Sequence, residues 1–169
     1  MCEKMKEIIS SIDELKIKLY NALREKNLTL STAESCTGGM IGAFITSIPG
    51  ISSYYGYGFV TSSNEAKQKL IGVKGETLEK FGAVSAETVL EMAEGALRVS
   101  GADIAVSVSG IAGPGGGTEK KPVGLVYLGY AQKEKRLFKK LNLSGDRDLV
   151  RLLTVKNVLE LIVNQLENK

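Results

Sequence analysis

The chain contains no histidine among its 169 residues. That excludes a Ser-His-Asp triad and any metal site built on imidazole. A nucleophile here must take its base from a lysine, a tyrosine, a carboxylate or water. Cysteine is scarce as well: Cys2 and Cys36 are the only two, and disulfide scaffolds carry more, at closer spacing. Charge of one sign is also scarce. The 22 Lys and Arg against 19 Asp and Glu leave a formal net charge of +3. The basic residues are interleaved with acids rather than gathered into a stripe, which speaks against a nucleic-acid partner. No apolar run approaches the roughly 20 residues that cross a bilayer. The opening segment, with Glu3, Lys4, Lys6 and Glu7, lacks the apolar centre of a signal peptide. A cytoplasmic location with no membrane partner is expected.

What is present reads as one α/β domain. The length is near the modal size of a single domain, and no linker, repeat or low-complexity segment interrupts it, so residues 1–169 are expected to fold together. Residues 5–26 carry Ile8, Ile12, Leu15, Leu19 and Leu23 at helical spacing, the pattern of a helix packed on a core, with a dimer contact as the alternative. Leu28–Glu34 reads as a short strand. A turn over 35–39 leads into a helix at 39–48 that Pro49-Gly50 ends. Tyr54–Thr61 is β-rich and aromatic. Ser63 is a cap for a helix to about Leu70, Gly75–Phe81 a short helix, and Ser85 a cap for a helix over 86–99. Ala102–Ser109 is small and apolar, as suits a central strand covered on both faces. Val123–Ala131 and Arg136–Leu143 read as a hairpin across the charged turn Gln132–Lys135, and a last helix opens at 145–148 and runs to about Leu166. The pattern predicts a mixed sheet of about five strands between helical layers.

Two of these strands end in glycine-rich turns, at Glu34–Gly39 and Ser109–Gly117. Ligands of open α/β sheets sit at the carboxyl ends of strands, where glycine lets backbone N–H groups approach an anion. Two such turns together point to a phosphate or carboxylate ligand. Ser35 follows a strand and precedes a helix. Its hydroxyl is either a helix cap or a nucleophile, with the N–H groups of Thr37, Gly38 and Gly39 as oxyanion donors. Cys36 competes for the nucleophile's role, although nothing imidazole-based is available to activate it. Lys67 is either a solvated charge or, if it points inward, a base with a lowered pKa. Arg147 either pairs with Asp146 or Asp148 or forks onto a phosphate.

The run Thr32-Ala33-Glu34-Ser35-Cys36-Thr37-Gly38-Gly39 resembles the signature of the CinA C-terminal domain family. Ser63-Asn64-Glu65-Ala66-Lys67, Leu70-Ile71-Gly72-Val73, Gly82-Ala83-Val84-Ser85, Ser107–Pro114, Lys121-Pro122-Val123-Gly124 and Gly145-Asp146-Arg147 follow in the family's order and cover roughly residues 28–150. The resemblance implies a three-layer α/β/α sandwich around a mixed, mostly parallel sheet. It also implies hydrolysis of the carboxamide of nicotinamide mononucleotide to nicotinic acid mononucleotide and ammonia, without a metal or organic cofactor. Ser35 matches the family's nucleophilic serine and Lys67 its lysine. Ser109, Gly110, Gly113, Pro114, Gly115 and Gly116, with Arg147, match the phosphate and ribose contacts. A homodimer or higher homo-oligomer is expected. One position departs: active members carry a tyrosine just before the Ser-Asn-x-x-Lys run, where this chain has Ser62. A serine hydroxyl is shorter and less acidic than a phenol, and strand alternation sets Tyr57 on the opposite face from residue 62. The alternative implied is therefore a non-catalytic nucleotide-binding or competence- and damage-related interaction module.

Overall fold

The computed structural model of the protein describes residues 1–167. In chain order the elements are α1 (Glu3–Lys26), β1 (Leu30–Glu34), α2 (Met40–Thr46), β2 (Tyr55–Val60), α3 (Asn64–Ile71), α4 (Gly75–Phe81), α5 (Ala86–Ser100), β3 (Ile104–Gly110), β4 (Leu125–Gln132), β5 (Lys135–Asn142) and α6 (Arg147–Glu167). The five strands form one sheet in the order β2-β1-β3-β4-β5. β1 pairs parallel with both β2 and β3, while β4 runs antiparallel to β3 and β5. Four strands thus point one way and only β4 opposes them, the mixed and mostly parallel sheet that was expected.

Strand alternation sorts the two faces. Leu30 of β1 and Ile104, Val106 and Val108 of β3 pack under α1, α2 and α6. Ala33 and Ala105 face the other way, with Val89, Met92 and Ala96 of α5 and Ile71 of α3. The second face is lined by small residues, so α5 lies close upon it. Ser107 Oγ donates to the Val89 carbonyl at 2.5 Å and Ser31 Oγ to that of Ala96 at 3.5 Å. Gly95 has no Cβ where the Ile71 carbonyl presses on α5, which lets α3 seat against it. On the first face α6 buries Val150, Leu152, Val155, Val158, Leu159 and Ile162, each worth about 1.5–3 kcal/mol over exposure.

Local signals set the ends of the helices. Ser63 Oγ accepts the Ala66 N–H at 3.0 Å and Ser85 Oγ accepts that of Thr88 at 3.2 Å, so both expected caps form. Several boundaries move by a residue or two. β1 begins at Leu30 because the Leu28 N–H still bonds the Leu23 carbonyl at 3.0 Å and belongs to the exit of α1. The β4–β5 turn narrows to Lys133-Glu134, with Lys133 at a φ of 35°. β2 also holds a bulge: Leu30 pairs with Tyr55 but Ser31 with Tyr57. The extra residue turns Tyr55 towards α2, while Tyr57 stacks on Phe59, with ring centroids 6.3 Å apart.

Candidate active site

The parallel strands β2, β1 and β3 finish in register, with Glu34 opposite Val60 on one side and Val108 on the other. One residue further on, Thr61, Ser35 and Ser109 come side by side. The Thr61 N–H donates to the Glu34 carbonyl at 2.8 Å, and the Ser35 N–H to the Val108 carbonyl at 3.1 Å. Alternation turns the three side chains to the face that α3 and α5 cover.

α3 brings Lys67 onto this row. The Ser63 cap starts the helix, and Lys67 lies one turn inside it, 1% exposed. Lys67 Nζ donates to Ser35 Oγ at 3.0 Å and to the Thr61 carbonyl at 2.8 Å. Burial lowers its pKa from the ordinary lysine value, with the neighbouring Cys36 pulling weakly the other way. The proton is therefore lost more readily than from an exposed lysine. The solvated-charge reading of Lys67 does not hold.

Ser35 does not cap α2. The cap position is Gly39, which makes no side-chain cap bond; the Met40 N–H that opens the helix goes to the Thr37 carbonyl, and the next two, of Ile41 and Gly42, go to Glu34. Glu34 is 2% exposed. Its Oε1 accepts from Thr37 Oγ at 2.6 Å and from the Ile41 N–H at 2.9 Å, and its Oε2 from the Gly42 N–H at 3.0 Å. From across the turn Arg151 of α6 donates through Nε to the Cys36 carbonyl at 3.1 Å and through Nη2 to that of Thr37 at 3.0 Å. Of the three expected oxyanion donors, Gly38 is corrected. Its N–H donates to the Ser35 carbonyl at 3.2 Å and closes the turn. Thr37 and Gly39 keep N–H groups with no protein partner among the described residues. Burial pushes the Cys36 thiol up to about 11, so it is protonated at neutral pH and a poor rival to Ser35.

The second glycine-rich turn begins on the same row. Ser109 is 1% exposed, and its Oγ, like Thr61 Oγ1, has no hydrogen-bond partner among the described residues. A buried hydroxyl left unpaired costs about 1–3 kcal/mol, so two beside Ser35 invite a polar group from outside the chain. Gly110 is needed for packing, because a Cβ there would meet Val126 Cγ2 at 2.6 Å. Pro114, Gly115 and Gly116 are exposed. Arg147 pairs with neither Asp146 nor Asp148. Its Nη1 donates to the Gly113 carbonyl at 2.8 Å, while Asp146 Oδ1 accepts the Leu149 N–H at 2.9 Å. Arg147 and Arg151 stand one helical turn apart on α6, each on one of the two glycine-rich turns.

The family model described as CinA C-terminal domain matches residues 12–166. The chain belongs to the CinA C-terminal domain family. A CinA-like protein from Endomicrobium trichonymphae is 58% identical over 144 residues, which are 85% of this chain and 34% of that protein. A CinA-like protein from Kosmotoga olearia is 51% identical over 151 residues, 88% of this chain and 37% of the relative. The chain thus spans about a third of the length of these curated relatives. Solved structures match over nearly their whole length. The competence/damage inducible protein CihA from Agrobacterium tumefaciens is 44% identical with a TM-score of 0.90, covering 94% of this chain and 96% of its own. A CinA superfamily protein from Escherichia coli is 31% identical with a TM-score of 0.89, covering 98% and 93%.

Within this CinA domain Ser62 is exposed just beyond the end of β2. Tyr57 is 52% exposed and lies against Phe59. Glu34 and Arg151 are the residues that sequence reasoning missed. Glu34 stood inside the signature run itself, whereas Arg151 acts on carbonyls more than 110 positions away in the chain. Among the described residues no group of three or more His, Cys, Asp or Glu could hold a metal, and no helix is long and apolar enough to cross a membrane.

Proposed function

We propose that the domain is a serine-dependent amidohydrolase that converts nicotinamide mononucleotide to nicotinic acid mononucleotide and ammonia. The observation that carries this reading is the buried Lys67 amine, 3.0 Å from Ser35 Oγ at the end of a central strand. With the amine neutral, the Ser35 hydroxyl donates to Nζ, which takes the proton as Oγ bonds to the carboxamide carbon. The carbonyl oxygen becomes an oxyanion beside the N–H groups of Thr37 and Gly39. The carbon–nitrogen bond then breaks and Lys67 returns the proton to the departing ammonia. Water attacks the acyl ester on Ser35, Lys67 takes its proton and passes it to Oγ as the ester bond breaks, and the acid leaves and ionises in solvent. Ser35 and Lys67 supply nucleophile and base, so these steps call on no metal or organic cofactor. Ser109 and the open Pro114–Gly116 stretch, with the Nη2 and Nε of Arg147 beyond its bond to Gly113, are suited to the ribose and phosphate.

The same reading places residues 1–169 in one domain that works in the cytoplasm as a homodimer or higher homo-oligomer. Incubating the protein with nicotinamide mononucleotide and measuring ammonia tests the activity, and light scattering tests the assembly. A second reading rests on Ser62. Without the family tyrosine the domain binds the nucleotide as a sensor or a competence- and damage-related module, and calorimetric binding with no ammonia released would favour it.

A further inference from the structure

We infer that Glu34 and Arg151 are positioning residues that set the height of the Ser35 hydroxyl against Lys67. This inference rests on the amidase reading above, and it adds two residues that touch neither substrate nor reacting atoms. The turn that carries Ser35 is held from both sides. Beneath it the Glu34 carboxylate takes one hydroxyl and two backbone N–H groups, from Thr37, Ile41 and Gly42. Above it the Arg151 guanidinium takes the carbonyls of Cys36 and Thr37. Arg151 takes carbonyls of the turn, while Glu34 takes its Thr37 hydroxyl and ties it to the first N–H groups of α2 that follow, at Ile41 and Gly42. Their own anchors are rigid: Glu34 ends a strand buried along its whole length, and Arg151 lies one turn into α6 beside the buried Val150 and Leu152.

The geometry explains why a seven-residue helix suffices after the nucleophile. In α2 the Ile41 and Gly42 N–H groups are satisfied by Glu34 rather than by a serine, threonine or asparagine cap. Ser35 is thereby released from capping and its Oγ is left to Lys67. Removing either grip lets the turn shift while the Lys67 amine stays with the Thr61 carbonyl. A displacement of about 1 Å between a nucleophile and its base costs on the order of a hundredfold in rate.

The test uses the full chain carrying Glu34→Ala, Glu34→Gln, Arg151→Met or Arg151→Lys, with nicotinamide mononucleotide as substrate. The expected result for Glu34→Ala and Arg151→Met is a kcat lower by about ten- to a hundredfold with KM within about twofold. Glu34→Gln keeps an acceptor and should recover part of that loss. Thermal unfolding run in parallel separates loss of fold from loss of alignment. A raised KM with unchanged kcat, or full activity in both variants, overturns the inference. If the wild type does not hydrolyse the nucleotide, the functional reading fails alone, and the turn is read through Cys36. In a Cys2→Ser background, alkylation of Cys36 by iodoacetamide should quicken about tenfold in Glu34→Ala and Arg151→Met as the turn opens. An unchanged alkylation rate overturns the clamp.

Discussion

The two glycine-rich turns have similar composition and opposite mechanical characters. The turn at 35–39 gives the Thr37 hydroxyl to Glu34 and two carbonyls to Arg151, Glu34 also holds the Ile41 and Gly42 N–H groups of the helix that follows, and the turn's serine is met by Lys67. The loop at 110–117 is fixed at its base, where the Ile111 N–H bonds the Leu125 carbonyl at 2.9 Å and the Gly124 N–H bonds that of Ile111 at 2.8 Å. Arg147 adds one bond at Gly113, and beyond it Pro114–Gly117 stands exposed. Glycine therefore does two different jobs. In the first turn it permits a left-handed backbone (Gly38 at a φ of 57° and Gly39 at 101°) that side chains then lock. In the second it leaves backbone N–H groups uncovered. The locked turn suits bond making, which demands fixed alignment, and the open loop suits capture of an anion.

The largest way to break this comparison is to take the nucleophile from the locked turn. Ser35→Ala should reduce ammonia release by roughly a thousandfold or more, with the fold intact and nucleotide binding little changed. Retention of most activity would reject the covalent route. Next comes Ser62→Tyr, which supplies the phenol that the resemblance implies for active members, two residues before the Lys67 helix begins. Acid–base assistance of this kind is worth about 10²–10⁴ in rate, so kcat should rise with little change in affinity. A crystal structure of the variant would show whether the phenol fits. A fast wild type that gains nothing from the tyrosine would mean that Lys67 acts on Ser35 directly or through water.

Much of the framework behind this contrast was legible in the sequence. The caps at Ser63 and Ser85, and the small residues of Ala102–Ser109, depend on neighbours in the chain or on two-sided burial, and each reports itself locally. The bulge at Gly56 left no such mark, because a single extra residue is defined only by the partner strand. For the same reason the two-residue hairpin turn at Lys133-Glu134 was read too wide, since neither residue is the glycine or asparagine that usually marks a positive φ. At the site, Ser35 and Lys67 were nameable from type and order. Their hydrogen bond was not, nor was the displacement of Ser35 from capping. Both follow from Glu34 satisfying the start of α2. Nothing in the sequence singles out Arg151, which the fold alone sets over Cys36 and Thr37.

The open loop offers a smaller effect. Arg147→Ala removes one charge-assisted partner for a phosphate, worth on the order of 1.5–3 kcal/mol. The mononucleotide should bind about tenfold more weakly or worse, while the nucleoside without phosphate is barely affected. Calorimetry with both ligands separates these cases, and equal losses would place Arg147 away from the phosphate and leave it only its bond to Gly113.

The smallest effect concerns the pH dependence of the locked turn. Burial lowers the Lys67 pKa in the folded chain below its ordinary value of 10.5. Below the folded pKa both states hold the proton, and the fold bears the full cost of a buried ammonium. Between the folded pKa and 10.5 the unfolded chain binds a proton that the folded chain does not, so this group's contribution to stability rises with pH there and levels off above. Lys67→Met has nothing to titrate at that position. The melting temperature of the wild type should therefore gain on that of Lys67→Met as the pH is raised from neutral towards 10.5. Over the same window kcat/KM of the wild type should climb as the neutral amine becomes the main form. A melting-temperature difference that stays constant across the series would mean that Lys67 titrates no lower than an exposed lysine, and would remove it as the base.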